Sequence, residues 1–205
     1  NAAPVLTVNQ ATITVNEGTT ATNSGTISDP GTDPLTIYTE YGTVTDNGNG
    51  TWSWSYFAGA GPGDSRQIVI QASDGDSGYG GVTFNLVVNN VAPTADAGGP
   101  YTVNEGSPVN FIGTAYDPGT DDMGIFDYYW DFNYISPTFT YDASGSATVS
   151  PTYSDDGVYI AAFRVEDSQF AVGLDTTTVT IVNTPPSNVS PGGPYTVTPN
   201  SLLNL

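Results

Sequence analysis

Two short words recur in the chain at one fixed distance. "VNEG" stands at 15–18 and again at 103–106, and "DPGTD" stands at 29–33 and again at 117–121; both pairs are offset by 88 residues. A shared offset means that neither insertion nor deletion separates the two words, so the chain repeats a unit of about 90 residues. The joints repeat as well: "NAAP" at 1–4, "NVAP" at 90–93 and "NTPP" at 183–186. The later two follow strand-like runs, "VTFNLVV" (82–88) and "TTTVTIV" (176–182). The predicted division is a first unit at 1–90, a second at 91–183, and a remainder at 184–205 made of a linker and one orphan strand. A third word, "GGPYTV", opens the second unit at 98–103 and returns in the remainder at 192–197.

Within each unit the pattern is strand and turn. "ATITV", "RQIVIQA", "YIAAFRV" and "TTVTIV" are β-branched or alternate with period two. "DNGNG", "GAGPGD" and "SDGDSG" carry turn chemistry, Gly for positive φ and Asn or Asp for side-chain-capped turns. No amphipathic helix of three turns is present. Many short strands in about 90 residues predict an all-β chain of two tandem immunoglobulin-like sandwiches. Trp130, Phe163 and Val165 are expected in the second core. "TWSWSYF" (51–57) puts Trp52, Trp54 and Tyr56 on one strand face. That face is either core or an aromatic platform for sugar rings; Ser53 and Ser55 on the other side favour core.

Charge narrows the partners. Lysine and arginine total 2 against 21 aspartates and glutamates, a formal net charge of −19, and histidine and cysteine are absent. Nucleic acid is excluded as a partner, since phosphate binding needs clustered cations, and anionic membranes are disfavoured for the same reason. Disulfides, thiolate chemistry, Ser-His-Asp triads and most zinc sites are excluded too. No apolar run is long enough for membrane insertion as a helix. So large an excess of one sign repels itself unless cations bind.

The second unit resembles a PKD (polycystic-kidney-disease) domain. "ADAGGPYTVNEGSPVNFIGTAYDPG" looks like its opening strands, and "YYWDF" (128–132) carries the WDF of the WDFGDG signature, with Asn133-Tyr134-Ile135 in place of GDG. "PTYSDDGVYIAAFRVED" (151–167) looks like its later strand pair. The first unit is similar to the cadherin-like and Ig-like repeats of large bacterial surface proteins, through "VNEG", "SDPGTDPLT", "NGNGTWSWSY" and "IQASDGDSG". The resemblance implies an extracellular or cell-surface chain and a spacer, an adhesive module or an appendage of a secreted enzyme.

The carboxylates fall in corresponding places of the two units: Glu17, Asp29, Asp33, Asp74 and Asp76 in the first, Glu105, Asp117, Asp121, Asp122 and Asp167 in the second. In a sandwich such loops can meet at one end. Calcium takes about 6–8 oxygen ligands, and "DPGTD" supplies two carboxylates on a turn tight enough to expose carbonyls. Comparable acidic positions of cadherin-like repeats bind calcium, so the resemblance implies calcium at these ten residues. Paired carboxylates can also serve a glycosidase, but clusters that recur once per small unit read as structural, and the chain is not expected to be an enzyme. Asn49 and Asn188 head N-x-S/T sequons, Asn49 at a hairpin tip, and are candidates for covalent glycans.

In the remainder "VNEG" becomes "VTPN", while apolar letters persist as Tyr195, Val197, Leu203 and Leu205. A lone strand has no sheet to pair with. It is expected either to open a further repeat or to join an edge of another copy, producing a head-to-tail filament. The functional expectation is a structural subunit of an extracellular bacterial fibre or stalk, assembled by strand donation and stabilised by calcium. The alternatives are a glycan-binding accessory module of a secreted enzyme and a segment of a long adhesin.

Overall fold

The computed structural model describes residues 2–31, 33–185 and 192. The first unit holds β1 (Val5–Leu6), β2 (Thr12–Asn16), β3 (Thr19–Ser28), β4 (Thr36–Thr39), β5 (Thr43–Asp46), β6 (Thr51–Ala58), β7 (Arg66–Ser73) and β8 (Tyr79–Asn89). They form two four-stranded sheets, β1-β3-β6-β5 and β2-β8-β7-β4. Period-two alternation decides which side chains face inward. Ile68, Ile70 and Ala72 of β7 are buried while Val69 is exposed, and Phe84, Leu86 and Val88 line β8.

The second unit holds β9 (Thr94–Asp96), β10 (Tyr101–Asn104), β11 (Phe111–Ile112), β12 (Thr114–Tyr116), β13 (Asp127–Asp131), β14 (Ala143–Ser144), β15 (Thr148–Val149), β16 (Gly157–Glu166) and β17 (Val172–Val182). A five-stranded sheet, β10-β17-β16-β13-β14, faces two short pairs, β11-β15 and β12-β9. Trp130, Phe163 and Val165 are fully buried there with Val109 and Phe111. The chain is all-β, two tandem Ig-like sandwiches as the sequence predicts. Strand β8 ends at Asn89 and β9 begins at Thr94.

In each unit the early chain crosses from one sheet to the other. β1 pairs antiparallel with β3, and β2 then joins the opposite sheet parallel to β8, with Val15 beside Val88 and Asn16 beside Asn89. β10 lies parallel to β17 in the same way, with Val103 beside Ile181 and Asn104 beside Val182. The "VNEG" words therefore end these parallel strands. Glu17 N–H donates to Asn89 O (3.0 Å) and Glu105 N–H to Val182 O (2.9 Å). Gly18 and Gly106 follow at φ of +71° and +73°, a left-handed turn that glycine adopts without strain.

This topology separates the acidic residues of each unit. Asp74 and Asp76 precede β8, and Ser28, next to Asp29, pairs with Val5 at the same pole. Glu17 lies at the far end of β8, a strand of 11 residues that spans about 36 Å. The expectation that the acids of one unit meet at one end is corrected accordingly. Glu17 points away from Asp29, Asp33, Asp74 and Asp76, and Glu105 likewise from Asp117, Asp121, Asp122 and Asp167.

Candidate metal centre at the junction

The glutamate pole of the first unit meets the aspartate pole of the second. Ligand oxygens of Glu17, Asp117 and Asp122 lie within 4.8 Å of one another, and all three residues are buried. Oxygens about 2.4 Å from a shared ion can be at most about 4.8 Å apart, so the spacing fits one calcium coordination sphere. Backbone amides hold the carboxylates. Glu17 accepts from Gly61 N–H and from Val91 N–H, both at 2.7 Å. Asp117 Oδ1 accepts from Gly119 N–H at 2.7 Å, and Asp122 accepts from Ser168 N–H at 3.2 Å. Asp117 Oδ2 is buried and has no hydrogen-bond partner among the described residues. A buried acceptor left unmade is costly, and a cation supplies what it lacks.

Around this centre the two units interlock. Thr120 donates to Gly59 O through both N–H (2.5 Å) and Oγ1 (2.9 Å). Pro118 sits on the Gly18 turn so closely that a Cβ on Gly18 would lie 2.6 Å from Pro118 Cβ. Asn90 of the linker donates to Asp167 Oδ2 at 2.9 Å, and Asp167 Oδ1 accepts from Gln169 N–H and Ala171 N–H, both at 2.8 Å. With its amide turned to satisfy its neighbours, Gln169 donates to Asp122 Oδ2 at 2.7 Å.

The electrostatics are one-sided. Two unit charges about 5 Å apart repel by about 3 kcal/mol at an effective dielectric constant of about 20; three such pairs approach the whole stability of a small domain, about 5–15 kcal/mol. No basic side chain relieves this, since Arg66 pairs with Asp64 (3.0 Å) and Arg164 with Glu166 (2.9 Å). Burial raises the pKa of Glu17, with Asp117 and Asp122 adding to the rise. Asp117 is raised by burial first and then by Asp122, Asp167 and Asp121. A cation bound among the three carboxylates would relieve this repulsion.

Of the other anticipated ligands, Asp167 borders the centre through Asn90 and Asp121 is exposed beside it. Asp29, Asp33, Asp74 and Asp76 lie at the first unit's opposite pole, where Asp74 accepts from Asp76 N–H and Gly78 N–H, both at 2.9 Å. Glu105 groups with Asp155 and Asp156, which the sequence reading missed. Asn90 and Gln169 were missed too; Asn90 had a signal, because asparagine begins each of the repeated linkers. Asn49 is exposed at the β5–β6 tip. Asn188, Tyr195, Val197, Leu203 and Leu205 lie outside the described residues. Trp52 and Trp54 are 0% and 1% exposed, so the aromatic face is core and no sugar platform exists there.

Residues 1–87 match the family model of the bacterial Ig domain, and residues 90–182 match that of the PKD domain. The chain is a tandem of Ig-like and PKD-like repeats. No curated protein matches the sequence. Among solved structures, the PKD domain of an M14-like peptidase from Thermoplasmatales archaeon SCGC AB-540-F20 is 22% identical, covers 45% of this chain and 98% of its own length, and has a TM-score of 0.35. The PKD1 domain of Vibrio anguillarum Epp is also 22% identical, covers 47% of this chain and 100% of its own, and has a TM-score of 0.35. The titin Ig tandem A164-A165 is 12% identical over 89% of this chain and 98% of its own, at a TM-score of 0.35. PKD and bacterial Ig domains typically occur in extracellular or surface proteins and are generally non-catalytic binding or structural modules. Among the described residues no helix is long and apolar enough to cross a membrane.

Proposed function

We propose that this chain is a structural spacer of an extracellular fibre or stalk, stiffened where its two units meet by a calcium ion held by Glu17, Asp117 and Asp122. One observation carries the reading: three buried carboxylates drawn from both units converge within 4.8 Å in a protein with only two basic side chains. Calcium suits the site better than magnesium. Magnesium keeps several waters in near-ideal octahedra, whereas calcium accepts an irregular set of protein oxygens. Because the ligands come from both units, binding lowers the freedom of the joint as well as the energy of each fold. Native-state binding adds about 2.7 kcal/mol when the ion is at 100 times its Kd. Thermal unfolding in millimolar calcium chloride against excess EDTA tests this, with Asp117→Asn as control. Equal midpoints in the two buffers would end the proposal.

Assembly by strand donation is a second reading, favoured by the return of "GGPYTV" at 192–197. Each described unit already fills the place of that strand with its own β2 or β10, parallel to β8 or β17. A donated strand has to add to a free edge such as β4 or β5. Deleting 192–205 and measuring polymer length tests the reading; unchanged polymers would reject it. We also propose Asn49 as a glycan acceptor, testable by mass spectrometry of native material.

A further inference from the structure

We propose that Gln169 is a further ligand of the junction cation and an internal substitute for it: its side-chain amide presents oxygen to a bound ion and nitrogen to Asp122 when no ion is bound. This role rests on the cation reading of the junction and deepens it.

The three carboxylates do not fill a calcium sphere. Calcium takes about 6–8 oxygens, and Glu17, Asp117 and Asp122 supply three groups. Two amides border them. Asn90 donates through Nδ2 to Asp167 Oδ2 at 2.9 Å, which commits its nitrogen and leaves Oδ1 to the centre. A Cβ on Gly61 would lie 3.0 Å from Glu17 Oε2 and 3.2 Å from Asn90 Oδ1, so the two oxygens flank one glycine. A Cβ on Gly119 would lie 2.5 Å from Glu17 Oε2. Glycine at both places leaves the oxygens room to converge. Gln169 stands on the Asp122 side. The inner atom of its amide lies 2.7 Å from Asp122 Oδ2, 3.1 Å from Asp122 Oδ1 and 3.1 Å from Asn90 Oδ1.

The two ends of an amide are nearly equal in size, so its partners decide which one points inward. Here every inward partner is an acceptor. Without an ion, nitrogen must face them; Gln169 then donates to Asp122 while its oxygen accepts from Ser168 Oγ at 2.7 Å. With an ion among the oxygens, the same position suits a ligand. Oxygens that share a calcium ion at about 2.4 Å stand about 3 Å apart, which is the separation found. The amide oxygen then binds the ion, and the nitrogen turns to Ser168.

Ser168 serves both states. Its hydroxyl donates one proton and accepts as well. It reaches Asp122 Oδ1 at 2.5 Å and the outer end of the Gln169 amide at 2.7 Å. When Gln169 turns oxygen outward, Ser168 donates to it. When Gln169 turns nitrogen outward, Ser168 accepts from it and gives its own proton to Asp122. The amide also suits the site by charge. A fourth carboxylate would hold the ion more tightly but would add to the repulsion among the acids once the ion leaves; a neutral amide does neither. The junction thus has a bonding pattern with the cation and another without it, and its affinity is lowered because the ion must displace the hydrogen bonds of Gln169.

Two measurements test this on the full chain. Crystals grown in calcium chloride should place Gln169 Oε1 about 2.4 Å from the ion, and crystals grown in EDTA should show the amide reversed, with nitrogen on Asp122. Calorimetric titration of Gln169→Glu with calcium should give a Kd at least about tenfold below that of the unaltered chain, since ligand charge sets calcium affinity. The thermal midpoint of the same variant in EDTA should fall. A variant that folds in calcium and not in EDTA meets the same expectation, and the crystallographic comparison needs no variant. A bound ion with Gln169 more than about 3 Å away, or an unchanged Kd in Gln169→Glu, would overturn the role of Gln169 and leave the cation site standing. No heat of calcium binding and no ion in the crystals would overturn both.

Discussion

Trp54 in the first unit and Trp130 in the second are both fully buried, yet they are held differently. Trp54 Nε1 donates to Tyr41 O at 2.8 Å, and Trp52 Nε1 donates to Thr7 O at 3.0 Å. Each indole thereby ties a loop to the strand that carries it. Trp130 Nε1 has no partner among the described residues. Its ring packs among other rings in the core, with Phe163 at 4.6 Å and Phe111 at 4.8 Å between centroids. The strands opposite it are broken into pieces of two or three residues, β9, β11, β12 and β15. Two units of one fold can thus share a core plan and divide its polar bonding unequally. The second unit ties its core through tyrosines instead, Tyr153 OH donating to Phe132 O at 2.7 Å and Tyr101 OH to Ala97 O at 3.1 Å.

The largest effect expected from breaking this contrast is in the first core. Trp54→Ala should cost about 3–5 kcal/mol in denaturant unfolding, because a cavity and a lost hydrogen bond add. A loss below about 1 kcal/mol would show that the indole is not a core element. Next comes the junction. Chelation should remove about 2.7 kcal/mol at saturating calcium, and Glu17→Gln or Asp117→Asn should abolish most of that difference. Hydrogen exchange should show both units losing protection at the joint; loss confined to one unit would refute a site shared between them.

A finer test exchanges each indole for phenyl. Trp54→Phe leaves Tyr41 O with only the weaker 3.3 Å hydrogen bond from Thr39 Oγ1 and should exceed Trp130→Phe by about 0.5–1.5 kcal/mol. If the two cost the same, the difference in bonding carries no energy. The smallest effect concerns pH. In the cation-free protein Glu17 and Asp117 titrate above their ordinary values of 4.5 and 3.8. The folded state then binds protons that the unfolded chain has released. That stabilisation is complete below the ordinary values and is lost as pH rises through the raised ones. Acidification from neutral pH toward that range should therefore raise the midpoint in EDTA and lower it in calcium, where protons compete with the metal. Parallel pH profiles in the two buffers would contradict the shared site.

Much of this architecture was legible in the sequence. The equal offsets of "VNEG" and "DPGTD" gave the unit length, and the alternation of serine with tryptophan at 52–55 identified a core face. Glu17, Asp117 and Asp122 stood out as candidate ligands, but their grouping was not readable. Glu17 precedes Asp29 by only 12 residues, yet pairing parallel to β8 carries it to the other end of the unit. Parallel pairing joins residues far apart in the chain and leaves no local mark. Asp155 and Asp156 stood inside a segment that resembled a strand pair and were not singled out, and Gln169 had no signal, since its role depends on a loop that arrives from β12.

The parallel pairing also governs how the molecule bears tension. In each unit one of the first strands and the last run side by side in the same direction, β2 with β8 and β10 with β17. A pull on the two ends of a unit drags these neighbours past each other along their length. Their hydrogen bonds are then loaded together in shear, whereas a hairpin pulled from its open end unzips one bond at a time. In the first unit the word that ends this strand, "VNEG", places Glu17 at the point where the load passes to the second unit.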